Sequence, residues 1–330
     1  MKKLLSLLLI PLCLLVFTPN AFASGKKLMR IGWATPVNHP YGLLAKRFKE
    51  LAETYTNGSV KIKLFPSGQL GSEGSAFKGL QLGSVDGYMI TMSNLSPHYP
   101  LMDVFSLPYC FESMQHMKKV LKSDVAKEFF ADFEKKTHVA ILTYGSLDTR
   151  DLYNTRKDIN TFDDFAGLKY RVPKNEVMIA TFKAFGANPV PLAWSETPTA
   201  LQTGTIDGGD NGTSTIRQMK FYEMAKHLTV LDHFLAFSPL LVSERFLKKL
   251  SPEEKTALYR AAAEANEYID EYNFAELEKT RTFLEEKGMK LTRPDRTPFI
   301  EAAQKVQKEF ADKKGAEFKK ILKKIRAIKP

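Results

Sequence analysis

The sequence predicts an α/β fold of two lobes joined by strands and braced by one long helix. Three observations predict it. Strand-like and helix-like periods alternate through the first 145 residues, the pattern of a largely parallel sheet with crossover helices. The alternation restarts after Ser146, with no repeat and no low-complexity tether between the halves. From Ser251 a strongly capped helical run reaches Gly288 with no glycine or proline after Pro252.

The elements follow in order. Residues 27–33 read as a strand, with Leu28, Arg30 and Gly32 alternating against Met29, Ile31 and Trp33. Over 41–55, Leu44, Phe48, Leu51, Ala52 and Tyr55 fall at helical spacing. Residues 60–64 alternate as a strand that Pro66-Ser67-Gly68 ends. A helix over 74–82, a strand over 86–91, helices over 113–121 and 124–136, and a strand over 139–144 complete the first half. In the second half, strands are expected over 168–172, at Val190, over 205–208, 227–231 and 240–242, with helices over 176–185 and 196–203 and a further helix before 227. Ser251-Pro252-Glu253-Glu254 opens the helical last third with Ser as N-cap, Pro at N1 and Glu at N3. One unbroken helix there would be about 50 Å long, against about 30 Å for a small lobe, so it would lie across both lobes. The alternative is two shorter helices with a bend over 268–274. The expected lobes are 24–148 with about 237–270, and 149–236 with about 271–330.

Residues 1–23 read as a secretory leader: Met1-Lys2-Lys3, an apolar run over 4–17, and the small-x-small signal Ala21-Phe22-Ala23, with cleavage after Ala23 into the periplasm. The apolar run is shorter than the ~20 residues that span a bilayer, though a retained anchor is the alternative. Ile10-Pro11-Leu12 before Cys13 lacks the small residue of a lipoprotein signal. The mature chain then keeps one cysteine, Cys110, which reads as a small buried hydrophobe. The composition is 44% hydrophobic and 26% charged, ordinary for a globular protein. The net charge of +11 is spread over helical faces and the tail FKKILKKIRAIKP, a solvated basic surface and not a nucleic-acid motif.

Catalytic and cofactor patterns are missing from the sequence: no G-x-S-x-G, H-E-x-x-H, C-x-x-C or P-loop. GQLGSEG over 68–74 has the wrong spacing for a dinucleotide loop. DGGDNG over 207–212 is faintly like a calcium loop but lacks its ligand spacing and terminal Glu. No cofactor or metal is therefore expected. Polar residues beside turns remain. Arg150 lies past the strand ending at Tyr144, Arg171 ends its own strand before Pro173, Trp194 precedes a helix start, and Asn211 follows Gly208-Gly209, where the chain can turn tightly. Each alone reads as structural. Ligands of open α/β sheets sit outside the carboxyl ends of strands, and guanidinium groups match a planar carboxylate. Together the four favour a binding protein for an organic anion. The rival reading is an exported enzyme acting on a carboxylate, with Asp210 or Asp148 as the only candidate bases; a ligand-sensing module is a second rival.

PSGQLGSE (66–73), GLKYRVP (167–173), PLAWSETPTALQTGTIDGGDN (191–211) and KFYEMAKHLT (220–229) occur in this order. On these segments the chain resembles the solute-binding proteins of tripartite ATP-independent periplasmic (TRAP) transporters, the DctP-type family, over nearly its whole mature length. The resemblance implies a two-lobed periplasmic-binding-protein clamshell, a long helix bracing both lobes, capture of organic-acid anions as a monomer, and delivery to a TRAP-type membrane permease. It implies that Arg171 pairs with the ligand carboxylate, that Arg150 is a second basic contact and Asn211 an amide contact, and that Trp194 is an aromatic wall. Sialate-binding members carry an acidic residue and an arginine where this chain has Thr91 and Asn94, which argues against sialate. The exchange also leaves Arg150 as the only second cation for a dicarboxylate, so a monocarboxylate such as a hydroxy, oxo or sugar acid is expected.

Overall fold

Residues 26–330 are described in the computed structural model, so the expected leader and its cleavage site lie outside the described residues. Ten strands follow one another as β1 (Lys27–Trp33), β2 (Val60–Phe65), β3 (Gly87–Met89), β4 (Val139–Asn154), β5 (Lys169–Val172), β6 (Asn188–Pro191), β7 (Gly208–Gly212), β8 (His227–Thr229), β9 (Leu235–Ser243) and β10 (Lys290–Thr292). The helices are α1 (Pro40–Tyr55), α2 (Glu73–Leu82), α3 (Met114–Lys122), α4 (Asp124–Thr137), α5 (Glu176–Ala184), α6 (Thr197–Gln202), α7 (Thr213–Gln218), α8 (Glu244–Leu247), α9 (Pro252–Glu286) and α10 (Thr297–Ala327). Hydrogen bonding links the strands in the order β2-β1-β3-β9-β4-β7-β5-β6, with β8 on β4 and β10 on β8. The outer strands are parallel, and β9 and β4 cross the middle antiparallel to their neighbours.

The two lobes are joined chiefly by β4. The sequence pattern ends this strand at Tyr144, because the polar run SLDTR does not alternate. The structure instead continues it to Asn154: Ser146, Leu147, Asp148 and Thr149 pair with β9, and Arg150 to Asn154 pair with β7. Two register shifts, between Ile141 and Thr143 and between Thr143 and Ser146, bend the strand where it passes from one lobe to the other. Gly145 sits there at φ +74, and a Cβ on it would lie 1.8 Å from the Ser238 carbonyl oxygen. Arg150 is thus a mid-strand residue and not one beyond a strand end.

A second correction concerns β7, expected over 205–208 and found at Gly208–Gly212. Gly208 and Gly209 do not turn the chain. They let it lie close to β4: a Cβ on Gly208 would come 2.0 Å from the Tyr153 carbonyl oxygen. Asp210 and Asn211 therefore project from a central strand.

α9 is one unbroken helix of 35 residues. Ser251 Oγ accepts from the Glu254 amide at 3.2 Å, and the Glu254 carboxylate accepts from the Ser251 amide at 2.8 Å. Leu258, Ala261, Ala262, Ala265 and Ile269 bury against the first lobe beside α1 and β9. Further along, Tyr144 donates to Asp270 at 2.6 Å and Asn273 to the Leu147 carbonyl at 2.8 Å. In the second lobe Arg281 pairs with Asp151 through Nη2 and Nε, at 2.8 and 3.0 Å, and Leu284 enters that lobe's core. α10 departs from the expected lobe division. Phe299 and Ala303 pack with Phe182 and Phe185 of the second lobe, but Val306, Phe310, Phe318, Leu322 and Ile325 join the core of α3 and α4. Gly315, at φ +86, breaks the helix and redirects its last turns.

Candidate functional site

A cleft of about 640 Å³, counted with the open space at its mouth, lies between the lobes. All six residues expected at the site, Thr91, Asn94, Arg150, Arg171, Trp194 and Asn211, line it. They are not equivalent.

Arg171 stands on β5, in register with Gly209 of β7 on one side and Val190 of β6 on the other. Pro173 follows and fixes the exit of the chain. The guanidinium donates through Nε and Nη2 to a single carbonyl, that of Leu192, at 3.1 and 2.8 Å, and its carbon lies 5.8 Å from the centre of the Trp194 ring. No carboxylate among the described residues is bonded to it. Burial lowers its pKa, and the charge of Arg150 adds to that effect against the opposing influence of Tyr153.

Arg150 has a counter-ion of its own. Its Nε donates to Asp210 Oδ2 at 2.7 Å and its Nη2 to Oδ1 at 3.1 Å, with a further bond to the Asp210 carbonyl. The pairing follows from the β4–β7 ladder, where Arg150 faces Gly212 and Leu152 faces Asp210. Burial works against ionising Asp210, yet Arg150 beside it holds the carboxyl well below the usual carboxylate range. Asp210 therefore has a firm partner, which removes it as a candidate base, and the fork of Arg150 is spent within the protein.

Asn211 accepts from the Tyr153 hydroxyl at 3.0 Å through its amide oxygen, so its NH2 group is the donor it has left for the cleft. Trp194 opens a short 3-10 turn, Trp194–Glu196, held by Glu196 accepting from the Ala193 amide at 2.8 Å. Thr91 lies 3.2 Å from the Tyr41 hydroxyl, which also bonds Ser238. Asn94 donates to Glu73, which also accepts from the Thr91 amide at 3.3 Å.

Glu73 and Asp148 also line the cleft; sequence reasoning missed Glu73 and named Asp148 only as a candidate base under the rival enzyme reading. Burial holds the Glu73 carboxyl above its ordinary value. Glu73 follows the N-cap Ser72, a place where an acid usually just complements the helix dipole. Only its adjacency to the GQLG turn marked it. His39 is a further omission. Its Nδ1 accepts from the Tyr41 amide at 3.2 Å, so Nε2 carries the proton and donates at 2.9 Å to Oγ1 of Thr215, a cleft residue of the opposite lobe. Burial pushes its pKa down to about 3 and keeps the ring neutral.

One unpaired buried cation, an aromatic wall and a ring of hydroxyl, amide and carboxyl groups can hold a small anion rich in hydroxyls. The known proteins that the chain resembles bind organic acids of more than one kind. The 2,3-diketo-L-gulonate-binding periplasmic protein YiaO of Escherichia coli is 32% identical over 292 residues, 88% of either chain. The C4-dicarboxylate-binding periplasmic protein DctP of Rhodobacter capsulatus is 32% identical over 285 residues, 84% of either chain. A TRAP periplasmic solute-binding protein of Polaromonas sp. JS666, solved bound to D-erythronate, superposes with a TM-score of 0.88 at 29% identity over 92% of this chain and all of that one. The family model for bacterial extracellular solute-binding protein, family 7 (DctP), matches residues 31–314. With the fold, the cleft and these likenesses in agreement, the chain belongs to the DctP family of bacterial extracellular solute-binding proteins.

Proposed function

We propose that this protein is a periplasmic receptor for a sugar acid, a polyhydroxylated monocarboxylate, which it holds by the carboxylate on Arg171 and delivers to a TRAP-type permease. The observation that carries the reading is Arg171 itself. A buried guanidinium with only one carbonyl as partner is costly, and an anion in the cleft offsets that cost. Because Asp210 already neutralises Arg150, the described residues of the site offer one free positive charge and not two. Asn211, Thr91, Asn94 and Glu73 then supply partners for hydroxyls along the chain of the acid, beside Trp194 as a wall. Proteins similar to this one bind 2,3-diketo-L-gulonate and D-erythronate, acids of that class.

In this reading the leader over 1–23 is removed after Ala23. The lobes meet along the β4 crossing near residue 148, close on the ligand, and act as a monomer without a catalytic step. The test is mass spectrometry of the small molecules released when the purified protein is denatured, followed by titration calorimetry with the acid found. The expected result is one hydroxylated monocarboxylate, bound reversibly and recovered unchanged. Recovery of a dicarboxylate, or turnover of the bound acid, would overturn the proposal.

A further inference from the structure

The cleft has an axis, and its two ends are chemically different. At its mouth it opens into a larger outer cavity, and the two share Ala34, Glu73, Asn94 and Trp194. Arg171 stacks beside Trp194 and so belongs to this end. A smaller cavity of about 430 Å³ lies behind the cleft, lined by α7 and α9, and Asp148 is the one residue that the two share. Asp148 is therefore the floor of the cleft, where β4 passes between the lobes. An elongated acid anchored on Arg171 directs its far end there.

Asp148 is held in place without being neutralised. Ser214 Oγ donates to its Oδ2 at 3.1 Å, and no ion pair to it occurs among the described residues. The cation nearest along its own strand, Arg150, is already matched by Asp210. The chain also makes room for this carboxyl group: a Cβ on Gly212 would lie 1.7 Å from Asp148 Oδ2. We infer that Asp148 determines which acids the protein accepts, by bonding a hydroxyl at the end of the ligand remote from Arg171 and repelling a second carboxylate there. The inference rests on the sugar-acid reading above and adds to it the group that rejects dicarboxylates.

The electrostatics support the geometry. Burial pushes the Asp148 carboxyl up to about 7; Ser214 opposes that shift, Asp151 adds to it and Arg150 opposes it. The charged and titratable groups around it are Arg150 and Asp151 on β4, Asp210 on β7, His39 at the N-cap of α1 and Tyr41 within it, Arg217 from α7 and Glu276 from α9. Either protonation state bonds a hydroxyl, but only the ionised state repels a carboxylate strongly. A monoanion bound nearby raises this pKa further. Affinity is therefore fullest below about 7 and falls as pH rises through it, more steeply for a dianion.

The test is titration calorimetry of the full mature protein with three aldonates, erythronate, gulonate and galactonate, and with the aldarates of the same chains, in which the terminal CH2OH is a carboxylate. At pH 8 the wild type is expected to prefer the best aldonate over its aldarate by about thirtyfold or more, since like charges placed together in an interface are strongly disfavoured. Asp148→Asn keeps an acceptor for Ser214 and is expected to narrow that preference at least about tenfold, with a smaller change in aldonate affinity. In the wild type itself the preference is expected to grow from pH 6 to pH 8, over which both acids stay fully ionised, and this arm needs no variant. Wild-type discrimination retained in Asp148→Asn, or a preference that does not change with pH, overturns the inference and leaves the sugar-acid reading standing. Absence of binding by every aldonate overturns both.

Discussion

Arg150 and Arg171 stand on β4 and β5, with β7 between them, and each is almost wholly buried, at 7% and 3% exposure. Burial does not separate them, and neither does residue type. Their counter-ions do. Arg150 makes a bidentate pair with Asp210, and the pair closes on itself. Arg171 meets a carbonyl and an aromatic face and, among the described residues, no carboxylate. A buried charge whose partner lies within the fold belongs to the fold; a buried charge whose partner is missing is waiting for one from outside. The reading of both arginines as ligand contacts divides along this line, and four experiments test the division.

The largest effect is expected at Arg150. Arg150→Ala leaves Asp210 buried without its cation, and breaking a buried pair from one side costs about 3–5 kcal/mol. Thermal unfolding of the ligand-free protein should show a large fall in Tm, and poor expression is its extreme form. Arg171→Ala should do the reverse. The ligand-free Tm should hold or rise, because an uncompensated cation is gone. Titration calorimetry should then show affinity for the carboxylate ligand lowered about thirtyfold or more, the cost of about 2–5 kcal/mol for losing one side of a desolvated charge contact. Arg171→Lys should recover part of that loss, since it restores the charge without the planar fork. If Arg171→Ala unfolds the protein, or binds with full affinity, the two arginines do not differ as described.

The sequence showed one half of this comparison more clearly than the other. Arg171 was legible because its signal is local: an alternating run over 168–172 and then a proline. α9 was legible for the same reason, through the Ser251–Glu254 capping box and the lack of a breaker. The Arg150–Asp210 pair spans 60 residues, and the strand holding Arg150 is polar where it continues past Tyr144. Tertiary pairing with β7 and β9 supplies its hydrogen bonds, which no local period announces. β7 was misplaced by three residues at its start and four at its end because its glycines serve close packing and look like turn residues. Glu73 and His39 sit at helix starts, where capping explains them sufficiently until the opposite lobe is in view.

The acid limb of ligand binding offers a third test, because neither arginine supplies one. Arg171 keeps its charge across the working pH range, and Asp210 stays ionised far below neutrality. His39 must be neutral for Nδ1 to accept from the Tyr41 amide while Nε2 donates to Thr215 of the opposite lobe, with its pKa in this arrangement near 3. With the cleft open and the ring in water it takes up a proton near the ordinary value of about 6.5. The contribution of this bond to closure and affinity is thus fully present above about 6.5 and is lost as pH falls toward 3. A loss of about fivefold is expected between pH 6.5 and 5.5, approaching about tenfold for the next unit, where the slope nears about 1.4 kcal/mol per unit. Protonating Glu73 or Asp148 removes negative charge and would favour an anion, so those groups push the other way. His39→Gln keeps a donor for Thr215 and should flatten the acid limb. An acid limb unchanged in that variant would place its origin elsewhere.

The smallest effect is expected at Trp194, and it asks how much of the Arg171 clamp is charge and how much is shape. Trp194 is half-buried, packs 6.1 Å from Phe221 and offers its ring to the Arg171 guanidinium. An exposed cation–π contact is worth about 0.5–1 kcal/mol. Trp194→Leu keeps apolar volume at the wall and removes that contact, so affinity should fall about threefold to fivefold, with the ligand-free Tm nearly unchanged. Arg171 would still face the cleft through its two bonds to the Leu192 carbonyl, which do not depend on the indole. If Trp194→Leu instead weakens binding as much as Arg171→Ala, the indole is what aims the guanidinium, and the backbone of β5 and β6 does not preorganise the clamp by itself. A double variant then decides: losses that add mean two independent contacts, and a combined loss no larger than that of Arg171→Ala alone means that Trp194 acts only through Arg171.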